Sequence, residues 1–274
     1  MNTKNISNIS AQLLNHFNQK GQTCFGVEEV CRLFPNKPRN TILQLLSKMK
    51  KRGLLMRIRG GMYYIIPYEK DAATFMPDWH VLAKYLVKDT EYYIGYYSAL
   101  QIHNLITQPS LSEQIVVAEQ ICPSLIKIKE TPFQFIYHNE DHFFGFKKVW
   151  IDDYNKVIVS DLEKTIIDCL FKPNYADGIV EIAKAIFMTK EKIDFDKLYS
   201  YAFQFKSQAV MKRLGYLLEL LEINHPIIDL LQQQINKNSY VILDTELPRE
   251  GKRLKRWAIQ QNLDSETIKS AIYT

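Results

Sequence analysis

Residues 38–66 read Pro38-Arg39-Asn40-Thr41-Ile42-Leu43-Gln44-Leu45-Leu46-Ser47-Lys48-Met49-Lys50-Lys51-Arg52-Gly53, then Leu54-Leu55-Met56-Arg57-Ile58-Arg59-Gly60-Gly61-Met62-Tyr63-Tyr64-Ile65-Ile66. Pro38 suits the first turn of a helix, where its missing N–H costs nothing, and Gly53 suits the helix end. Between them Ile42, Leu45, Leu46 and Met49 recur at three- and four-residue steps. That spacing makes one stripe apolar and turns Arg39, Asn40, Gln44 and Lys48 outward. The two runs after Gly53 are strand-like and separated by a glycine pair. Glycine takes positive φ without a Cβ penalty, so Gly60-Gly61 predicts a tight β-hairpin.

Upstream, Ile6, Ile9, Leu13, Leu14 and Phe17 form the apolar stripe of a first helix that Gly21 stops. After the apolar entry Phe25-Gly26-Val27, residues 28–34 predict a short second helix with Val30, Leu33 and Phe34 inward, broken by Pro35. Three short helices followed by a hairpin are the order of a winged helix-turn-helix, placed here over residues 1–68.

Charge gives that module a use. The chain carries +5 overall, but residues 1–68 hold eleven Lys and Arg against Glu28 and Glu29 alone, a net +9 that leaves −4 for the rest. Lys and Arg gain by displacing counterions condensed on phosphates, so a basic head on a mildly acidic body predicts a polyanion-binding module. Arg suits guanine edges, and Asn or Gln adenine edges. The third helix therefore assigns base reading to Arg39, Asn40 and Gln44, with Lys37, Thr41, Lys48 and Lys51 beside them. Arg57, Arg59, Gly60 and Gly61 form the hairpin that reaches a neighbouring groove or the backbone. Winged helices also serve as protein-docking modules, which is the rival use of this surface.

Residues 69–274 are assigned to one larger α+β domain after a linker over 68–77. Helices are predicted at 79–87 and 97–105, and strands at 114–118, 133–138, 143–151 and 156–159. Further helices follow at 162–171, 178–188, 195–205, 209–223 and 227–235. This order places a mixed or antiparallel sheet before a group of helices. The tyrosines of EYYIGYYSALQIHNL at 91–105 read as packing between helices and sheet rather than as a platform for stacking bases.

Two constellations suggest catalysis. His138-Asn139-Glu140-Asp141-His142 places two imidazoles near acids, but it joins two aromatic strand-like runs as a turn, whereas HExxH requires a helix. Asp152, Asp153, Asp161, Glu163 and Lys164 suggest a metal-dependent nuclease. Yet Ser160-Asp161-Leu162-Glu163 opens an apolar helical run as S-x-x-E, a capping box, and adjacent Glu163 and Lys164 diverge on a helix. There is no GxxxxGK[ST], GxGxxG or GxSxG, so no cofactor and no enzymatic activity are expected. The segment with Arg249, Lys252, Arg253, Lys255 and Arg256 around Gly251 and Trp257 reads equally as a nucleic-acid contact, a docking surface for an acidic partner, or a solvated face. Cys24, Cys31, Cys122 and Cys169 are too scattered for a disulfide framework, so reduced thiols are expected. No run approaches a membrane span and the opening MNTKNISNIS is unlike a secretory signal, which predicts a cytoplasmic protein.

Over nearly its whole length the chain resembles the AbiEi family of antitoxins, regulators of type IV toxin-antitoxin and phage abortive-infection systems. The resemblance is carried by RGGMYYIIP (59–67), YYIGYYSALQIHNL (92–105), GFKKVWIDD (145–153) and VSDLEKTIIDCLFKPNYADGI (159–179). It implies an amino-terminal winged helix that represses its own operon at inverted repeats, and a larger domain required for antitoxin activity. It also implies a nucleotidyltransferase-like toxin as partner, and leaves open whether the toxin is bound directly. No catalytic residue is implied.

Overall fold

The computed structural model describes residues 6–87, 90–106, 108–153 and 155–273. Lys4, counted above in the charge of the head, lies outside them. The chain is α+β and divides into two compact units, residues 1–88 and 89–274.

The first unit runs α1 (Asn8–Gln19), β1 (Cys24–Gly26), α2 (Val27–Leu33), α3 (Arg39–Lys51), β2 (Leu55–Arg57), β3 (Met62–Ile65) and α4 (Trp79–Leu86). Its three strands lie antiparallel in the order β1-β3-β2. Leu13 and Phe17 from α1, Val30 from α2, and Ile42, Leu46 and Met49 from α3 share a buried core with Phe25, Leu55 and Tyr63 of the sheet. Phe17 stacks on Phe25 with ring centroids 4.4 Å apart. Ile6, assigned to the inward stripe, instead precedes the helix and is exposed. The segment Phe25-Gly26-Val27 is not merely an entry to α2, because Cys24–Gly26 pairs with β3.

The boundary at residue 68 falls inside this unit rather than at its edge. Residues 68–78 are irregular, but Phe75 packs its ring 5.8 Å from that of Tyr64, and Gly53 lies against Ala72. The linker thus folds back on the strands it leaves, and α4 follows it within the same unit.

The second unit begins with β4 (Tyr92–Ile94), α5 (Tyr96–Ile102), β5 (Glu113–Val117), β6 (Leu125–Ile128), β7 (Thr131–Tyr137), β8 (Phe146–Trp150) and β9 (Lys156–Ser160). These strands form a mixed sheet in the order β6-β7-β5-β4-β9-β8. The pairs β4–β9 and β5–β7 are parallel and the others antiparallel. There follow α6 (Leu162–Phe171), a 3₁₀ turn (Pro173–Tyr175), α7 (Gly178–Thr189), α8 (Phe195–Gln204), α9 (Gln208–Leu220) and α10 (Ile227–Gln234). A second small sheet, β10 (Val241–Ile242), β11 (Lys252–Leu254) and β12 (Ile259–Gln261), precedes α11 (Ser265–Ala271).

Two buried groups tie the helices to the small sheet. Arg213 of α9 donates to the carbonyls of Leu170, Ile242 and Leu243, so its charge sits on the carbonyl end of α6, where a helix carries partial negative charge. Burial nevertheless pushes its pKa down to about 10. Asp244 accepts from the N–H of Ile179 at 2.8 Å and so satisfies a free donor at the start of α7. Among the described residues, no helix is long and apolar enough to cross a membrane.

Candidate nucleic-acid interface and the buried polar centre

The third helix starts immediately after Pro38, whose carbonyl accepts from Thr41 and Ile42, and ends where Gly53 takes a φ of +72°. Turning Ile42, Leu46 and Met49 inward exposes Arg39, Asn40, Thr41, Gln44, Lys48 and Lys51. Lys37, Thr41, Gln44 and Lys48 come together along a groove of about 250 Å³ with Ser7 and Ser10 of the α1 start. The serines were not singled out from the sequence. Their signal is a hydroxyl just before the first apolar stripe: Ser7 accepts from the N–H of Ser10 as the cap of α1.

Arg39 and Asn40 lie on the exposed face outside that groove. The Arg39 guanidinium donates to Glu28 of α2, and this contact holds its pKa above the usual arginine value. Both partners are largely exposed, so the pair contributes little stability and yields to a competing anion. At the hairpin, Gly60 and Gly61 take φ of +56° and +81°, and Met62 donates back to the Arg59 carbonyl. Gly61 also accepts from the N–H of Val27, pinning the turn to the start of α2. Arg57 is exposed and Arg59 half-buried.

The second unit holds a polar cluster closed to solvent. Lys164 and Asp168, one turn apart on α6, form an ion pair with both side chains 0% exposed. The Lys164 amine also donates to the Tyr93 hydroxyl at 2.8 Å, and Tyr93 donates to Asp168 at 2.9 Å. Tyr96 lies 2.8 Å from Nε2 of His138, whose Nδ1 lies 3.2 Å from the Tyr93 hydroxyl. Because Tyr93 spends its one proton on Asp168, these partners place the His138 proton on Nδ1 and let Nε2 accept from Tyr96. Burial, then the nearby Lys164 charge, pushes His138 down to about 2. Burial likewise lowers Lys164 and raises Asp168, against the attraction between them.

The two constellations with catalytic appearance are taken up in packing contacts: the His138 and His142 rings meet edge to face at 5.8 Å, and Asp161 and Glu163 share Lys197. His138 faces the tyrosines, whereas His142 turns Nε2 to the Phe205 carbonyl at 3.0 Å and stacks on the Phe205 ring. Asp161, not Ser160, caps α6 by accepting from the N–H of Lys164. Glu163 does not close a capping box either; it reaches α8 and accepts from Asp194 N–H and the Lys197 amine. Lys197 bridges Asp161 and Glu163, while Asp152 holds Asn155 in a separate turn. Sequence spacing cannot reveal that Lys164 is buried, since the helix fixes where its Cβ lies but β4 and the end of α8 decide what surrounds it. Tyr93 and Tyr96 are core residues rather than a stacking platform.

No model of a known protein family matches the chain, and no curated protein matches it. Among solved structures, the chain is similar to the RV2827C protein from Mycobacterium tuberculosis, with 11% identity and a TM-score of 0.73 over 98% of this chain and 96% of that one. At that identity the likeness concerns the fold alone, and it extends through both units.

Proposed function

We propose that the first unit is a winged helix-turn-helix and that the protein is a sequence-specific DNA-binding transcriptional repressor of its own operon. The observation that carries this reading is the face of α3, where every apolar side chain that the core needs points one way and Arg39, Asn40, Thr41, Gln44, Lys48 and Lys51 point the other. In this reading α3 enters the major groove of an inverted-repeat operator. Arg39, Asn40 and Gln44 read base edges, while Lys37, Lys48, Lys51, Arg57 and Arg59 hold phosphates. Arg39 exchanges Glu28 for the duplex, so the ion pair holds the guanidinium in place until DNA arrives.

The resemblance to the AbiEi family supports a second role as antitoxin of a type IV toxin-antitoxin system, opposing a nucleotidyltransferase-like toxin in the cytoplasm without itself catalysing a reaction. The test of the DNA reading is the Arg39→Ala/Gln44→Ala variant. Each good base contact supplies about 1–3 kcal/mol of discrimination, so the variant loses preference for the operator while its affinity for random duplex falls far less. Unchanged operator preference would refute the assignment. Co-expression with the product of the neighbouring gene tests the antitoxin role: rescued growth supports it, and unrelieved toxicity counts against it.

A further inference from the structure

The second unit carries a concentration of charge that neither its core nor its sign explains. Residues 89–274 belong to the acidic part of the chain, yet residues 249–256 hold Arg249, Lys252, Arg253, Lys255 and Arg256 against Glu250 alone. Two of the five are engaged: Arg256 pairs with Glu219, and Arg253 lies over the Tyr240 ring with its guanidinium carbon 5.2 Å from the centroid. Arg249, Lys252 and Lys255 are exposed, with no ion pair to an acid among the described residues.

This segment is held firmly. Gln260 donates to the Arg249 carbonyl at 2.7 Å, and Asn262 donates to the carbonyls of Asp244, Leu247 and Pro248. Gly251 sits at φ +112° so close to the Gln261 carbonyl that a Cβ there would overlap it. Lys252, Arg253 and Leu254 then pair antiparallel with Gln261, Gln260 and Ile259. Like charges held along one short edge repel each other, and a polyanion relieves that repulsion. Here, cations are presented on an ordered edge.

We propose that the β11–β12 hairpin is a second phosphate-binding surface, contacting the backbone of duplex DNA without reading its sequence. This rests on the reading that the protein binds duplex DNA. The composition favours a polyphosphate over a protein partner. Interface cores between proteins are enriched in aromatics and arginine and depleted in lysine, whereas two of the three cations left without an acid here, Lys252 and Lys255, are lysines and the segment has no exposed aromatic ring. Each phosphate neutralised releases condensed counterions and adds about 0.9 to the slope of log affinity against log salt.

The experiment compares the full chain with two variants, Arg249→Gln/Lys252→Gln/Lys255→Gln in the hairpin and Lys48→Gln/Lys51→Gln on α3, by titrating operator and shuffled duplex over a range of salt. The hairpin substitutions alter only exposed side chains, so an unchanged melting temperature confirms that the fold persists. The expected result is a salt slope shallower by about 2–3 in the hairpin variant, with affinity falling equally on both duplexes. An unchanged slope in the hairpin variant beside a reduced one in the α3 variant would overturn this inference and leave the DNA reading standing. Loss in the hairpin variant alone would support the hairpin and count against α3. Unchanged slopes in both would remove both.

Discussion

Replacing Lys164 with methionine separates a structural centre from a catalytic one. Methionine approximates the lysine stem and removes the charge with its hydrogen bonds to Tyr93 and Asp168, leaving the Asp168 carboxylate buried with the Tyr93 hydroxyl as its remaining hydrogen-bond donor. Breaking one side of a buried pair costs about 3–5 kcal/mol. Protonation sets a ceiling on that cost: neutralising a carboxyl of ordinary pKa at pH 7 takes about 4 kcal/mol, and at pH 5 about 1.5 kcal/mol. The sign follows from the raised folded-state pKa of Asp168 in the variant. Its protonated form supports the fold below the unfolded carboxylate pKa, and that support is lost as pH rises through the folded value. The variant's deficit therefore shrinks by about 2–3 kcal/mol from pH 7 to pH 5. Urea unfolding followed by tryptophan fluorescence, to which buried Trp257 contributes, measures this at both pH values. Lys164→Met/Asp168→Leu removes both charges and should regain most of the loss. A deficit below about 1 kcal/mol, or one that grows as pH falls, would mean that Asp168 is not left as an uncompensated buried charge. Retained stability with loss of a divalent-metal nuclease activity would return Lys164 to the catalytic reading.

Other outcomes follow from the same packing. Gly215→Ala places a methyl inside the Trp257 ring system, and overpacking of this kind costs about 1–3 kcal/mol or more, seen as a lowered melting temperature; no change would mean that Trp257 moves freely. Asp161→Ala removes the α6 cap and the acceptor of Tyr201 and Lys197, for a loss of about 1–2 kcal/mol in urea unfolding. His138 is held neutral with a pKa near 2 against 6.5 in the unfolded chain. Below pH 6.5 the unfolded state takes a proton that the native ring refuses, so stability is full above that pH and falls by about 1.4 kcal/mol per pH unit beneath it. His103 and His142 are also pushed down by burial and act in the same direction. In His138→Gln the slope between pH 4.5 and 6 should be shallower by about that amount, and an unaltered slope would contradict the buried-neutral assignment.

Helices with long apolar stripes were legible from spacing. The predicted run at 162–171 coincides with α6, and those at 178–188, 195–205 and 227–235 differ by a residue at one end. The hairpin was equally legible, since Gly60-Gly61 permits a turn that few other pairs allow. Short strands were not. Tyr92–Ile94 is three residues long and passes directly into α5, so its pairing with β5 and β9 leaves no local alternation to detect. The strands β10, β11 and β12 are likewise too short to show a period, and β10 reaches β12 across the whole of β11, pairing Val241 with Ile259. In the candidate interface, outward residues of α3 could be named because inward ones are apolar. The groove they share with Ser7 and Ser10 depends on how α1 packs, which periodicity does not encode. The His138 centre was invisible for the same reason: Tyr93, His138 and Lys164 meet only once the sheet order is set.

Recognition of a DNA sequence by the first unit, as proposed above, would appear as selectivity for one duplex. Binding of the full chain to the duplex immediately upstream of its own operon, against a shuffled duplex of equal length at two salt concentrations, tests it most directly. A repressor binds the upstream duplex selectively as salt rises while binding to the shuffled duplex falls away. Equal and equally salt-sensitive binding to both would contradict it, and would make the basic head a general polyanion surface.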